Sequence, residues 1–571
     1  MIPSASRAFT LSAVLWQFLP LSQAAYQPCP LLRAYYPPPT ISKSSDAVKA
    51  LSKGFTEVFD NLIRTGKSDD FGEITPNTTS FSVVLFSAAE ADDADPIFYS
   101  YHYTAPATAQ TVAKNISLDT VLPLGSLTQL FTVYSWLAEM GIETWNDPIT
   151  KYLPELSKAA GSRDKFAVDW SAITVEALAG HMAGVARDSN ICQLGAACDK
   201  QAFINSFANV SPVFLPDTTP LLSNAAFQLL AFAITSRTKT TKGPAPSFSD
   251  VLKKSVLEPL KMTHSALLDK HNAASIFGGA DSLDCSAKGE QAALSLISTP
   301  RDLALSGHAI LSSRLLPAAT TRRWLSPVSA DTSNGRNGVG KPWEVYRAPL
   351  LLPKPSSQLI VDVLLKSGDV GPYSSYLGLV PDVGVGFAIL AHDANDEDKP
   401  ADLNVHADIV AAVGLGNLLG LAAKQAGSQF PGTFVSGDGG KDVAVIEVPE
   451  DGYPGFVVSR LVVNGKDVRA AAAQAAGIEK VEDLDFRVYA TNVVADLKGK
   501  GGKGKKQQFV AVLQDKSALV DAGTPTCISW MMADGPGAAV PSRFVFELDG
   551  KGVAVKVSIP HMGVSFGRKA T

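Results

Sequence analysis

Ser126 stands in "VLPLGSLTQLFTVYSWLAEMG" (121–141), where a glycine and a long apolar run place it at the start of a buried helix. At such a position backbone amides and the helix dipole can stabilise an oxyanion on the serine or on its acyl adduct. A residue three positions on lies one turn away on the same face, so a lysine there could take the serine proton. Here that residue is Gln129, and an amide has no useful basicity. Asn224 begins a second helix in "PLLSNAAF" (220–227), and Lys366 lies near a strand end in "LLKSGDVGPYSSYLGLVPDVGVGFAIL" (364–390). Each has a plainer use: Ser126 and Asn224 as helix caps, Lys366 as a solvated strand-end lysine.

Other matches fail on context. "GKGGKGKK" puts Lys506 where a phosphate loop needs its magnesium-binding Ser or Thr, and no apolar helix follows. "GVSFG" (563–567) has only four residues after it, too few for the helix of a nucleophile elbow. "SRDK" (162–165) sits in a charged loop. No cysteine pair has zinc-site spacing and no HExxH is present, so no metal and no cofactor is expected. His181 and His392 read as structural.

The elements that position these residues follow from composition and pattern. A chain of 571 residues exceeds one ordinary core, so two or more domains are expected. A formal charge of −5 offers no attraction to nucleic acid or an anionic membrane. Residues 1–25 read as a secretory signal peptide with an apolar core at 9–21, and no later run is read as a membrane span. The expected location is therefore the secretory pathway or outside the cell, where Asn77, Asn115 and Asn209 offer glycosylation sequons. In that oxidising setting Cys192 and Cys198 would close a small loop; Cys29, Cys285 and Cys527 allow one more bridge and leave one thiol.

A Pro-rich arm is expected over 26–50, extended on the surface up to a helix at 46–64. Strands at 80–88 and 96–105, a mostly helical stretch from about 124 to 320, and strands again at 358–368 and 376–393 suggest one large α/β unit. Its boundaries are set at 51–425. From 426 to 571 at least six short β-like runs with turns between them imply a separate sandwich or barrel, with "KGKGGKGKK" (498–506) as a loop.

In order and context the motifs resemble the serine β-lactamase and penicillin-binding-protein family, particularly the class C-like esterases and fungal secreted relatives. "ITVEALAGHMAGVARD" (173–188), "VLEPLKMTHS" (256–265), "LISTPRDLALSGHAIL" (296–311) and "GVGKPWEVYR" (338–347) extend the likeness over roughly 50–395. The resemblance implies an α+β fold: an antiparallel sheet with helices beside an all-helical lobe, the site between them, and a C-terminal β-rich accessory domain. The family elements S-x-x-K, Y-x-N and K-[ST]-G fall on Ser126 with Gln129, on Leu222 with Asn224, and on Lys366, Ser367 and Gly368. The oxyanion donors would be the N–H groups of Ser126 and Asp369.

Gln129 and Leu222 thus replace the family's lysine and tyrosine, the two groups that carry the serine proton. Such proton transfer is worth about 10²–10⁴-fold, so little or no β-lactamase or esterase turnover is expected. Lys366 is expected to line the cleft and bind a carboxylate or oxyanion rather than to act as a base. The leading expectation is a secreted protein of this family with a degenerate site open to a small-molecule ligand. The alternatives are a pathway enzyme acting on a small metabolite, with fungal natural-product biosynthesis as a setting, and a slow serine hydrolase or acyltransferase through Ser126. Nothing in the residues sets an oligomeric state.

Overall fold

The computed structural model describes residues 26–570 except 27, 34, 90–94, 113, 160–166, 238–245, 280–281, 327–329, 352–357, 396–398, 438, 498–503, 519–525 and 534–539. The expected signal peptide and "SRDK", and most of the lysine-glycine loop, therefore lie outside the described residues. The chain divides into two compact units. One is Tyr36–Ser428; the other joins Gln429–Thr571 to the stretch ending at Tyr35.

The larger unit is built on eight strands: β1 (Thr79–Ser87), β2 (Ile97–Tyr103), β3 (Ala330–Asp331), β4 (Asn337–Val339), β5 (Glu344–Leu351), β6 (Gln358–Val370), β7 (Tyr373–Val380) and β8 (Val385–Asp393). They form one sheet in the order β2-β1-β8-β7-β6-β5-β4-β3, antiparallel throughout. The apolar run read at 376–393 is two strands, broken where Pro381–Gly384 turns the chain and Gly384 takes a positive φ. Every residue of β1 and β8 is buried, as expected of strands covered on both faces.

Five helices matter here: α1 (Asp46–Thr65), α2 (Thr128–Met140), α3 (Asn224–Arg237), α4 (Pro300–Leu311) and α5 (Asn404–Gln429). α1 is strongly amphipathic and buries Val48, Leu51, Phe55, Phe59 and Leu62; Ser45 caps its start and Gly66 ends it in the left-handed region. α4 packs against β1 and β8. α2 and α3 pack on each other and are buried almost all round, which explains why neither sequence shows a polar face. α5 is long and apolar enough to cross a membrane by length and composition, contrary to the sequence reading. Half of its most apolar stretch is buried inside the protein, with His406 stacked on Phe59 and edge-on to Phe81, which is how a core helix packs. Glycines and a lysine interrupt the run and hide its length in sequence.

Among the described residues eight of the nine strands in the smaller unit's sheet close on themselves: β9 (Gly432–Val435), β10 (Val443–Glu447), β11 (Phe456–Val463), β12 (Leu484–Asp496), β13 (Lys505–Asp515), β14 (Arg543–Leu548), β15 (Ala554–Ile559) and β16 (Val564–Arg568). The order β9-β16-β15-β14-β13-β12-β11-β10 returns to β9, so these strands form an antiparallel barrel, and the two-residue ninth strand, Lys466–Asp467, pairs with β11 alone. Phe430, Phe456, Phe509 and Phe546 pack within it. "GVSFG" is its last strand, with Ser565 paired opposite Ser558.

Tyr26 and Cys29 belong to the barrel unit rather than to a loose arm. The Tyr26 hydroxyl donates to Asp485 at 2.8 Å, and Cys29 is disulfide-bonded to Cys527. Cys192 and Cys198 form the second disulfide and Cys285 is a free thiol.

Candidate functional site

Ser126 lies in a single turn of 3₁₀ helix, Gly125–Leu127, that leads into α2. Gly125 has φ +52°, which swings the chain from the short strand Leu122–Pro123 into the helix. Among the described residues the Ser126 hydroxyl has no hydrogen-bond partner, and it caps neither the turn nor α2. Its backbone is pressed against β6: a Cβ added at Gly368 would lie 2.7 Å from Ser126 N and closer still to Leu124 O and Leu127 N. Ser375 on β7 ties the two together, its hydroxyl donating to Leu124 O at 2.7 Å and lying 3.2 Å from Gly368 O.

Gln129 is fully buried one turn beyond the serine. Its Nε2 donates to Asn224 Oδ1 at 3.0 Å, and Asn224 Nδ2 donates to Asp188 at 2.7 Å. The carboxylate can only accept, so it sets the direction of both amides. Gln129 Oε1 is thereby left buried without a partner. Asn224 is not the cap of α3: Ser223 does that work, its hydroxyl accepting from Ala226 N at 3.1 Å. Asp188 is a site residue the sequence reading missed. It lies 36 positions before Asn224, and no local spacing links them. Leu222, half-buried, precedes this helix on a segment held by the Leu221 N–H bond to His181 O.

Lys366 is buried, and its Nζ donates to Glu344 Oε1 at 2.5 Å and to Ser367 O at 2.7 Å. The other Glu344 oxygen accepts from Ser367 N at 3.0 Å. Glu344 is the second residue the sequence reading missed, hidden in the "GVGKPWEVYR" stretch. The last pair of the β5–β6 ladder is Glu344 with Leu365, so beyond that point β6 is paired on one side alone, by β7. Since Ser367 N–H points to the open side, the alternation of a strand directs Asp369 N–H the same way, beside Ser126.

His181 is a further basic nitrogen near Lys366. Burial, and secondarily the Lys366 charge, push its imidazole down to about 3, and its Nδ1 has no partner. Such a histidine is neutral at ordinary pH and a very weak base. It packs on Phe227 with φ +58° and holds Leu221 through its carbonyl, a structural task. His392 packs between Phe277 and Tyr373. Beside β6 a pocket is lined by Ser367, Asp369, Tyr376, Asp402 and Asn404, with the Tyr376 hydroxyl donating to Asn404 at 2.7 Å. Among the described residues no three His, Cys, Asp or Glu side chains form a group that could hold a metal ion. Asn77, Asn115 and Asn209 are all exposed.

A serine at the head of a buried helix, flanked by an asparagine-led helix and a K-S-G strand of an antiparallel sheet, defines the serine acyl-transfer fold of β-lactamases and penicillin-binding proteins. A beta-lactamase family model matches residues 86–412, more than half of the chain, and the chain belongs to that family. A second model, described as beta-lactamase-like-like, C-terminal domain, matches residues 422–570. A beta-lactamase-like protein of Arthroderma benhamiae is 24% identical over 530 residues, 84% of each chain. A beta-lactamase of Yersinia enterocolitica is 22% identical over 373 residues, covering 60% of this chain and 89% of its own. Two solved structures resemble about two thirds of the chain. A D-alanine carboxypeptidase AmpC from Burkholderia cenocepacia has a TM-score of 0.44 at 18% identity, over 65% of this chain and 99% of its own. A class C beta-lactamase has 0.46 at 17% identity, over 66% and 98%.

Proposed function

We propose that this beta-lactamase family member is secreted, keeps its cleft as a small-molecule site, and has lost hydrolysis through Ser126. One observation carries the reading: the serine hydroxyl is unpartnered among the described residues while the groups around it are engaged elsewhere. Gln129 and Asn224 are tied to Asp188, Lys366 is tied to Glu344, and His181 is too weak a base to replace them. Gln129 Oε1, buried without a partner, is an amide oxygen and no base. On this reading the N–H groups of Ser126 and Asp369 still serve as the oxyanion hole, and the loss is confined to proton transfer. Two disulfides and three exposed sequons support passage through an oxidising secretory compartment.

Fluorophosphonate labelling of the purified protein tests this. The native protein labels at a negligible rate, and Gln129→Lys with Leu222→Tyr raises the rate by about 10²-fold or more, the worth of general acid–base help. Ser126→Ala in that background returns it to zero. Rapid labelling of the native protein at Ser126 would establish the slow-hydrolase alternative instead. A metabolite-converting enzyme using Lys366 as base is disfavoured by the Glu344 ion pair.

A further inference from the structure

Lys366 Nζ and Ser367 N–H converge on one point at the open edge of β6, next to the Ser126 turn. A buried ammonium and a backbone N–H aimed together form a site for a carboxylate. In this chain the carboxylate is already present and belongs to the protein: Glu344 Oε1 lies 2.5 Å from Lys366 Nζ and Glu344 Oε2 lies 3.0 Å from Ser367 N. We propose that Glu344 is a specificity-determining residue that fills the anion subsite of its own cleft, so that the cleft rejects carboxylate ligands and admits uncharged or cationic ones. The inference rests on the reading of the cleft as a small-molecule site, not on whether Ser126 reacts.

Two features support it. The Glu344 side chain is the first group past the end of the β5–β6 ladder, where a bound ligand would otherwise continue the hydrogen-bonding to β6. The Lys366 side chain is 2% exposed whereas that of Glu344 is 42% exposed, so the ammonium is fixed and the carboxylate is the partner that reaches in from the open side. An incoming carboxylate would meet the Glu344 charge and would have to displace that hydrogen-bonded group to reach Lys366.

Benzoate and benzamide, of equal shape and different charge, are the probes, with binding followed by ligand-observed NMR on full-length protein. In the native protein benzoate binds no better than benzamide. In Glu344→Gln, and more fully in Glu344→Ala, benzoate binds at least about tenfold more tightly than to native protein while benzamide changes less than about twofold. Adding Lys366→Met to either variant removes the gain. A measurement on the native protein is independent of how the variants fold: the Lys366 ammonium signal in lysine-labelled protein stays unmoved on adding benzoate. Equal benzoate binding by native and Glu344-substituted proteins, or a benzoate-dependent shift of that signal in native protein, overturns the proposal. Neither result depends on covalent labelling of Ser126, so failure here and failure of the inactive-serine reading are separately recognised.

Discussion

A hydroxyl attacks a carbonyl only when a neighbour can accept its proton, and around Ser126 the polar groups have been turned toward one another. Asp188 directs Asn224, Asn224 directs Gln129, and the relay ends at a neutral oxygen. Asp188→Ala leaves Asn224 Nδ2 without its acceptor and is expected to lower stability by about 1–3 kcal/mol in denaturant unfolding. The double variant with Asn224→Ala should fall well short of the sum of the singles, since one relay is broken twice; additive losses would show that the two side chains are not coupled. A second residue-scale effect concerns His406, whose buried imidazole is pushed down to about 4 by burial, and whose nitrogens have no partners. A histidine whose folded value lies below its unfolded value near 6.5 contributes stability above that pH and loses it as pH falls toward the folded value. Between pH 7 and 5 this amounts to about 2 kcal/mol. His406→Phe, which keeps an aromatic ring against Phe59 and Phe81, should flatten the pH profile by that amount relative to native protein. Ser126, Asn224 and Lys366 were legible because each sits at a helix start or strand end with a family pattern around it. Asp188 and Glu344 were not, because an acid becomes a partner only through a tertiary approach that spacing does not encode.

At the level of elements, the candidate site depends on a strand pressed against a turn. Gly368 allows β6 to touch the backbone of Leu124, Ser126 and Leu127, and none of these atoms can move aside as a flexible side chain would. Gly368→Ala should therefore separate β6 from the serine turn and cost about 1–3 kcal/mol, measured as a lower midpoint of unfolding. Gly567→Ala in β16, where an added Cβ meets nothing within 4 Å, is the control and should leave the midpoint nearly unchanged. An undiminished midpoint for Gly368→Ala would mean the close approach is not rigid. The strand itself was plain from "QLIVDVLLKSG", whose β-branched residues fit no amphipathic helix. The breaks between strands were less plain: β7 and β8 read as one run because both are buried, and burial on two faces erases the alternation that marks a strand's ends. β9 and β16 were missed for another reason, being four and five residues long and glycine-containing.

For the whole molecule, the chain passes from the barrel unit into the sheet unit and back, and the disulfide of Cys29 with Cys527 joins the two ends of that excursion. Sequence could state only that three cysteines remained for one bridge, since a pair separated by 498 residues leaves no local trace. The separation overstates the entropy at stake. If the barrel unfolds while the sheet unit stays folded, the freed loop is the stretch from Gln429 to Cys527 plus a few residues near Tyr35, about a hundred in all. A loop of that size is worth at most about 4.7 kcal/mol, and native cross-links typically deliver about 2–4 kcal/mol. Cys527 is exposed, so mild reductant reaches it; Cys29→Ser with Cys527→Ser removes the bridge without reductant. Either treatment should lower the barrel's unfolding transition in calorimetry. The sheet unit's transition should not follow, because its own core of α2, α3 and the eight-stranded sheet does not include the bridge. The reductant must be kept below the level that opens Cys192–Cys198, which lies in the sheet unit, and the double variant supplies that control. If both transitions drop together in the double variant, the two units share their stability and the barrel is not an independently folding module.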